Sequence, residues 1–328
     1  MTTQTGPADA SAAFSVVICA FTDDRWDDLV RSVDSVRRQT LPPVETIVVI
    51  DHNEALMARA VEAFPWARVV PNEGERGLSD GRNTGVRVSR GAIVAFLDDD
   101  AAAENDWLET LARTFRDADV IGVGGAAISE WDAGRPTWFP EEFDWVVGCS
   151  YRGMPTERAA VRNPLGCNMS FRRAGFEAAG PFEITVGRVG SKPVGGEETE
   201  FCIRLQEAMP GHHIIYEPAA RVRHRVRAER GTWRYFVSRC YGEGVSKAVV
   251  GRLVRSSAGL ATERRYSTVT LPAGVARNIA AIPRRPVAAL RAGAIIAGLG
   301  ITTLGYVRGR MGSGTWRGRG ADRSTPAP

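Results

Sequence analysis

The chain has 328 residues, 44% of them hydrophobic and 24% charged, which suffices for one large domain with an appendage or for two domains. These fractions exclude a disordered or fibrous polymer. Five scattered cysteines with no C-x-x-C pair exclude a zinc ribbon or a disulfide framework and fit a reducing cytoplasm. The net charge of +4 conceals an asymmetry, because residues 218–328 hold 21 Lys/Arg against 4 Asp/Glu and leave an acidic body before them. Such a balance fits an anionic surface as partner. With few interleaved aromatics and no nucleic-acid motif, a membrane is favoured over nucleic acid.

Residues 1–12 read as a disordered tail without signal-peptide character. Phe14–Ala20 (FSVVICA) is an expected strand, followed by Trp26, Leu29, Val30, Val33 and Val36 at helical spacing. Glu45–Ile50 is the second strand and Glu54–Phe64 the second helix. A short strand over Arg68–Val70, a short helix over Ser79–Ser89, an apolar strand (IVAFL) and a helix over Asn105–Arg116 complete the first half. Strands alternating with helices predict an α/β fold: a mostly parallel sheet flanked by helices, with ligands bound outside the carboxyl ends of the strands. Thr22-Asp23, Asp51-His52-Asn53 and Asp98-Asp99-Asp100 all fall at such ends.

Residues 125–226 are rich in Gly, Pro and Trp and read as strands and long loops, while Thr232–Val250 reads as a helix. Residues 251–285 carry several Arg and no clear fold signal. The uncharged stretch Ala292–Val307, flanked by Arg284, Arg285, Arg291, Arg308 and Arg310, is shorter than the roughly 20 residues of a spanning helix. It suits contact along a membrane or packing as a core helix.

The run Asp98-Asp99-Asp100 ends a strand that reads as buried. Three adjacent anions repel one another and need a cation or solvent to offset them. A hard divalent cation bridging a nucleotide diphosphate would do so; a solvated acidic turn is the bland reading. No G-x-x-x-x-G-K-[ST] occurs, which disfavours a P-loop enzyme.

Six segments then occur in order: FSVVICAFTDD, ETIVVIDHN, GLSDGRNTGVRVSRGAIVAFLDDDA, GCNMSFRRAGFEAAGPF, GGEETEFCIRL and YEPAARVRH. Together, over Phe14 to Arg225, they resemble the inverting glycosyltransferases of family 2, on the GT-A fold. The resemblance implies sugar transfer from a nucleoside-diphosphate sugar, UDP-linked as the commonest case, to an acceptor hydroxyl, with Mn2+ or Mg2+ as cofactor.

The resemblance also implies roles residue by residue. Asp100 and His224 would be metal ligands, although a lone His is more often structural. Asp98 would contact the nucleoside, and Phe21 and Asp99 belong to the same donor site, with Asp99 also readable as a spacer. Asp51 would meet the base or cap the following helix. Here the family's usual Asp-Asp-Gly-Ser is replaced by Asp51-His52-Asn53-Glu54. Arg82 would reach the phosphates, a task that suits a guanidinium fork, and Asn168 would line the donor sugar. In Gly196-Glu197-Glu198-Thr199-Glu200 the general base maps to Glu198, with Glu197 as rival. Aromatics from Trp131 to Tyr151 suit either an acceptor pocket or irregular core packing.

The expected organisation is a donor-binding half over 13–125, an acceptor-binding and catalytic half over 126–250, and a basic membrane-leaning extension over 251–328. The expected location is the cytoplasm, at the inner face of the cell membrane, with peripheral contact to anionic lipid and no nucleic-acid partner. A soluble small-molecule acceptor, or a non-catalytic scaffold with this fold, are the other readings.

Overall fold

The structure, a computed structural model, describes residues 13–186, 195–253 and 264–311, so the N-terminal tail expected to be disordered lies outside the described residues. Strands β1 (Phe14–Ala20), β2 (Glu45–Ile50), β3 (Arg68–Pro71) and β4 (Ile93–Asp98) alternate with helices α1 (Trp26–Arg37), α2 (Glu54–Ala63) and α3 (Leu78–Val88). They form a parallel block in the order β3-β2-β1-β4, so the carboxyl ends of β1, β2 and β4 share one edge. Buried side chains alternate across the strands. Val16, Ile18, Val48 and Ile50 enter one core with Leu29 and Val33 of α1. Val17, Ile47, Val49 and Phe96 enter a second core on the opposite face.

Beyond β4 the sheet becomes mixed. A short strand β5 (Ala101–Ala103) and helix α4 (Trp107–Thr114) lead to the long β6 (Val120–Trp131), the two-residue β7 (Ala159–Ala160) and β8 (Asn168–Arg172). Helices α5 (Arg173–Ala179) and α6 (Glu197–Ala208) then precede β9 (His213–Val226). β8 runs antiparallel to both β4 and β6, and β9 lies parallel to β6 but antiparallel to β5. This half is more regular than its sequence suggested. β6 and β9 run for 12 and 14 residues through their mutual pairing, and Gly125 lets the Ala220 carbonyl come where a Cβ would lie 1.8 Å from it, at the point where the register shifts.

Helix α7 (Trp233–Leu253), α8 (Leu271–Ala281) and α9 (Ala288–Met311) form the helical extension. A third core joins them to the aromatic stretch through Phe139, Phe143, Phe236, Leu271 and Ile295. The stretch 251–285, without fold signal in the sequence, thus contains α8. The 16-residue apolar run sits inside the 24-residue α9.

Candidate active site

The acidic motif is built by β4 and closed by the register of β9. Asp98 ends β4, half-exposed, while Asp99 and Asp100 are buried. Ala101 of β5 pairs with His224 of β9, which places the imidazole beside Asp100, with Nε2 3.1 Å from Asp100 Oδ1. Gly148 lies against the Cε1–Nε2 edge of the ring, and Cys149 Sγ lies 3.7 Å from Nδ1 on the far side. The oxygens of Asp98 and Asp100 and a nitrogen of His224 lie within 4.8 Å of one another. Two carboxylates and one imidazole are donors that Mn2+ accepts, and Mg2+ with the carboxylates foremost.

The repulsion among the three carboxylates is offset by the chain's own cations. Arg25 Nη1 lies 3.0 Å from Asp99 Oδ1 and 3.5 Å from Asp100 Oδ2, and Arg230 donates to Asp100 Oδ2 at 2.8 Å. The Asp100 oxygen facing His224 is therefore not the one held by the guanidiniums. Burial alone would raise the Asp100 pKa, but His224 and Arg230 outweigh it and hold the carboxyl well below its usual range. Burial pushes Asp99 up to about 7 against the pull of Arg25. For His224, burial would favour the neutral ring, yet the Asp100 carboxylate raises it to about 10.

Arg82 of α3 joins this end of the site to the next. It is buried and donates to Glu197 Oε1 at 2.7 Å, Asp98 Oδ1 at 3.3 Å and the Gly166 carbonyl at 3.0 Å. Helix α6 is preceded by Gly196, whose φ of 106° is left-handed and favours glycine. Its first turn presents Glu197, turned inward onto Arg82, and Glu198, half-buried and facing open space. Burial, reinforced by the charge of Glu197, pushes Glu198 up to about 8.

Asp98, Asp100, His224, Arg25, Arg82, Arg230, Glu197 and Glu198 all line one cleft of about 1200 Å³. Four expected donor-site residues are not among its lining. Asn168 is fully buried: its amide donates to the Ala126 and Ala220 carbonyls and its oxygen accepts from Trp107 Nε1 at 2.9 Å. With those bonds committed to the core, it cannot line a sugar. Asp51 accepts from the Gly77 amide and Asn72 Nδ2, at 3.0 and 2.8 Å, and so braces the loop before α3. The cap of α2 falls instead to Asn53, whose Oδ1 accepts from the Leu56 amide. Asp99 is turned onto Arg25, and Phe21 is 42% exposed with Arg25 over its ring.

The arginines beside His224 are also committed elsewhere. Arg223 pairs with Glu104, and Arg225 and Arg227 pair with Asp28. Arg25 and Arg230 carried no motif of their own in the sequence. Their spacing of 205 positions is bridged only by the fold. The aromatic stretch resolves into both readings: Phe139 is core, while Phe143, Trp145 and Tyr151 also reach the cleft.

The family model described as "Glycosyl transferase family 2" matches residues 15–180, just over half of the chain. The chain belongs to that family. It is also 38% identical over 243 residues to the glucosyl-dolichyl phosphate glucuronosyltransferase of Haloferax volcanii, covering 73% of this chain and 77% of that protein. It is 26% identical over 219 residues to the succinoglycan biosynthesis protein ExoM of Rhizobium meliloti, covering 65% of this chain and 66% of that one. A solved structure of GalNAc-T7 with UDP, GalNAc and Mn2+ superposes with a TM-score of 0.49 at 20% identity, covering 67% of this chain and 44% of that one. As a family 2 member with the mixed sheet described above, the chain is a GT-A glycosyltransferase that draws on a nucleotide-sugar donor.

Proposed function

We propose that this glycosyltransferase is metal-dependent and inverting, and that it transfers a sugar from a UDP-sugar to the hydroxyl of a lipid-borne acceptor. The observation that carries the reading is the meeting, in one cleft, of Asp98, Asp100 and His224 with Glu198. Asp98, Asp100 and His224 would hold Mn2+ or Mg2+, which when bound stabilises the charge growing on the leaving diphosphate. UDP follows from the family's common usage.

Glu198 takes the proton of the acceptor hydroxyl as its oxygen bonds to the anomeric carbon. The bond from that carbon to the diphosphate oxygen breaks, and its electron pair leaves with the nucleotide. Arg82 orients the two ends of the site by gripping Asp98 and Glu197 at once, and it keeps its charge because those carboxylates outweigh the burial that would remove it. In this reading residues 13–125 bind the donor and 126–250 the acceptor, and α7 to α9 complete the acceptor wall.

The lipid-borne acceptor is supported by the dolichyl phosphate named in the Haloferax relative and by the character of α9. By length and composition α9 could cross a bilayer, and only 33% of its apolar window is buried. Yet Leu299, Thr302 and Tyr306 on α9 line the cleft. A helix with one side in the enzyme's cleft suits lying on the membrane rather than spanning it, at the cytoplasmic face.

The test is a transfer assay with a UDP-sugar in chelator and after metal addition. Activity is expected to vanish in EDTA and return with Mn2+ or Mg2+. Full activity in chelator would overturn the metal reading.

A further inference from the structure

We infer that Cys149 is a positioning residue for the metal ligand His224: its sulfur holds the ring proton on Nδ1 and so leaves the Nε2 lone pair for the cation. The inference rests on the metal-dependent reading above and concerns a side chain that no sequence motif marked.

A neutral imidazole has two tautomers, with the proton on either nitrogen, and only the one with a bare Nε2 can ligate through that atom. Nε2 is the nitrogen that faces the carboxylates, 3.1 Å from Asp100 Oδ1. Which tautomer forms is set by the partner of the other nitrogen. Among the described residues, the partner at Nδ1 is Cys149 Sγ, at 3.7 Å, within reach of a hydrogen bond to sulfur.

The thiol has one hydrogen, and a second contact places it. The Val147 carbonyl, which can only accept, lies 3.8 Å from Sγ and takes the S–H. The sulfur then meets Nδ1 with a lone pair, so the hydrogen between them comes from the ring. Cys149 is fully buried, in the third core with Val146, Val147 and Val226. A thiol is a weaker acceptor than the carboxylate or carbonyl usual in this place. It orients the ring without adding another anion to the acidic triplet, whose repulsion Arg25 and Arg230 already offset.

The thiol is held in place from both sides. The Cys149 amide donates to the Asp144 carbonyl at 3.0 Å, and the Asp144 carboxylate accepts from both Nη atoms of Arg135 at 2.7 Å. The Ser150 amide donates to the Ala127 carbonyl, and Ser150 Oγ accepts from the Ala127 amide, each at 2.9 Å. In the pairing of β6 with β9, Ala127 stands opposite Val222 and Ser129 opposite His224. Thiol and imidazole thus hang from one strand pair. Between them Gly148 has a φ of 82°, which is left-handed, and a Cβ there would lie 3.3 Å from the ring Cε1. Glycine lets the chain turn here and lets the ring lie close.

The test measures Mn2+ binding by the full chain directly, as the loss of the free-ion EPR signal with UDP present, in wild type, Cys149→Ala and Cys149→Ser. Both substitutions remove the bulk of the sulfur, but serine keeps an atom that can donate to Val147 and accept from Nδ1. The Mn2+ Kd should rise by about tenfold or more in Cys149→Ala, the scale for a lost partner of a metal-bound histidine, and stay within a few fold of wild type in Cys149→Ser. In wild type with Zn2+ as a diamagnetic stand-in, nitrogen NMR of the His224 ring should place its proton on Nδ1. His224→Gln identifies that signal among the 4 histidines of the chain.

An unchanged Kd in Cys149→Ala, or a proton on Nε2, would overturn the inference. So would equal losses in both variants, which would make the sulfur a matter of packing. Wild-type protein that binds no Mn2+, or a ring protonated at both nitrogens with Zn2+ present, would instead sink the metal reading beneath it.

Discussion

Two adjacent glutamates at the start of α6 are driven apart by their surroundings. Glu197 is turned onto Arg82, whereas Glu198 faces the cleft and burial raises its pKa to about 8. Because the raised group is an acid, its basic form accumulates only as pH climbs through that value. The kcat/KM profile should accordingly rise with pH and reach its midpoint near 8. Glu198→Gln should lower kcat by about 10²–10⁴ while donor affinity persists. Glu197→Gln should move the midpoint down, since it removes a repelling charge and leaves Arg82 to favour the Glu198 carboxylate; a midpoint that stays fixed would remove Glu198 as the titrating group. Both glutamates, the acidic triplet, Arg82 and His224 were visible in the sequence because each sits in a motif of fixed spacing. Asn168 and Asp51 sit in motifs just as well, yet their bonds are spent inside the protein. A sequence pattern marks such a position without telling a side chain aimed at ligand from one that braces the backbone.

At the level of elements, the C-terminal wall of the cleft depends on how closely α9 lies against α7. A Cβ on Gly305 would lie 2.2 Å from the Tyr241 carbonyl oxygen, and one on Gly244 2.0 Å from the Thr302 carbonyl. Two helices can approach this far only where side chains are missing. Gly300, on the same helix, has nothing within 4 Å of its would-be Cβ. Gly305→Ala should therefore cost about 1–3 kcal/mol through forced displacement. Gly300→Ala should stabilise by up to about 1 kcal/mol through helix propensity. Thermal unfolding of the two variants separates these effects, and a loss in both would mean that α9 is held in some other way. The early elements were legible because buried parallel strands and amphipathic helices each carry their own period. The later ones were not: α8 and α9 are rich in small residues, and β6 and β9 owe their length to pairing between distant segments.

For the molecule as a whole, charge and apolar surface converge on the C-terminal end. Exposed Arg284, Arg285, Arg308 and Arg310 bracket the apolar outer stripe of α9. The full chain should sediment with anionic vesicles at low salt. Leu290→Ser/Ile296→Ser/Leu304→Ser should weaken that binding, and salt should weaken the electrostatic share, since fields are screened within about 8–10 Å at physiological ionic strength. Vesicle binding unchanged in the triple variant would remove α9 from the membrane contact. The charge asymmetry was plain in the sequence, while the fact that the same helix also walls the cleft needed the fold. Arg82 also ties together parts of the chain that are far apart in sequence. It lies in the front half of the molecule and one of its anchors, Glu197, in the back. A gene crossover between their codons hands the guanidinium to one parent and its counter-charge to the other. A hybrid that joins the front of this chain to a back half without a carboxylate at position 197 should leave Arg82 held by Asp98 and the Gly166 carbonyl alone and be less stable than either parent.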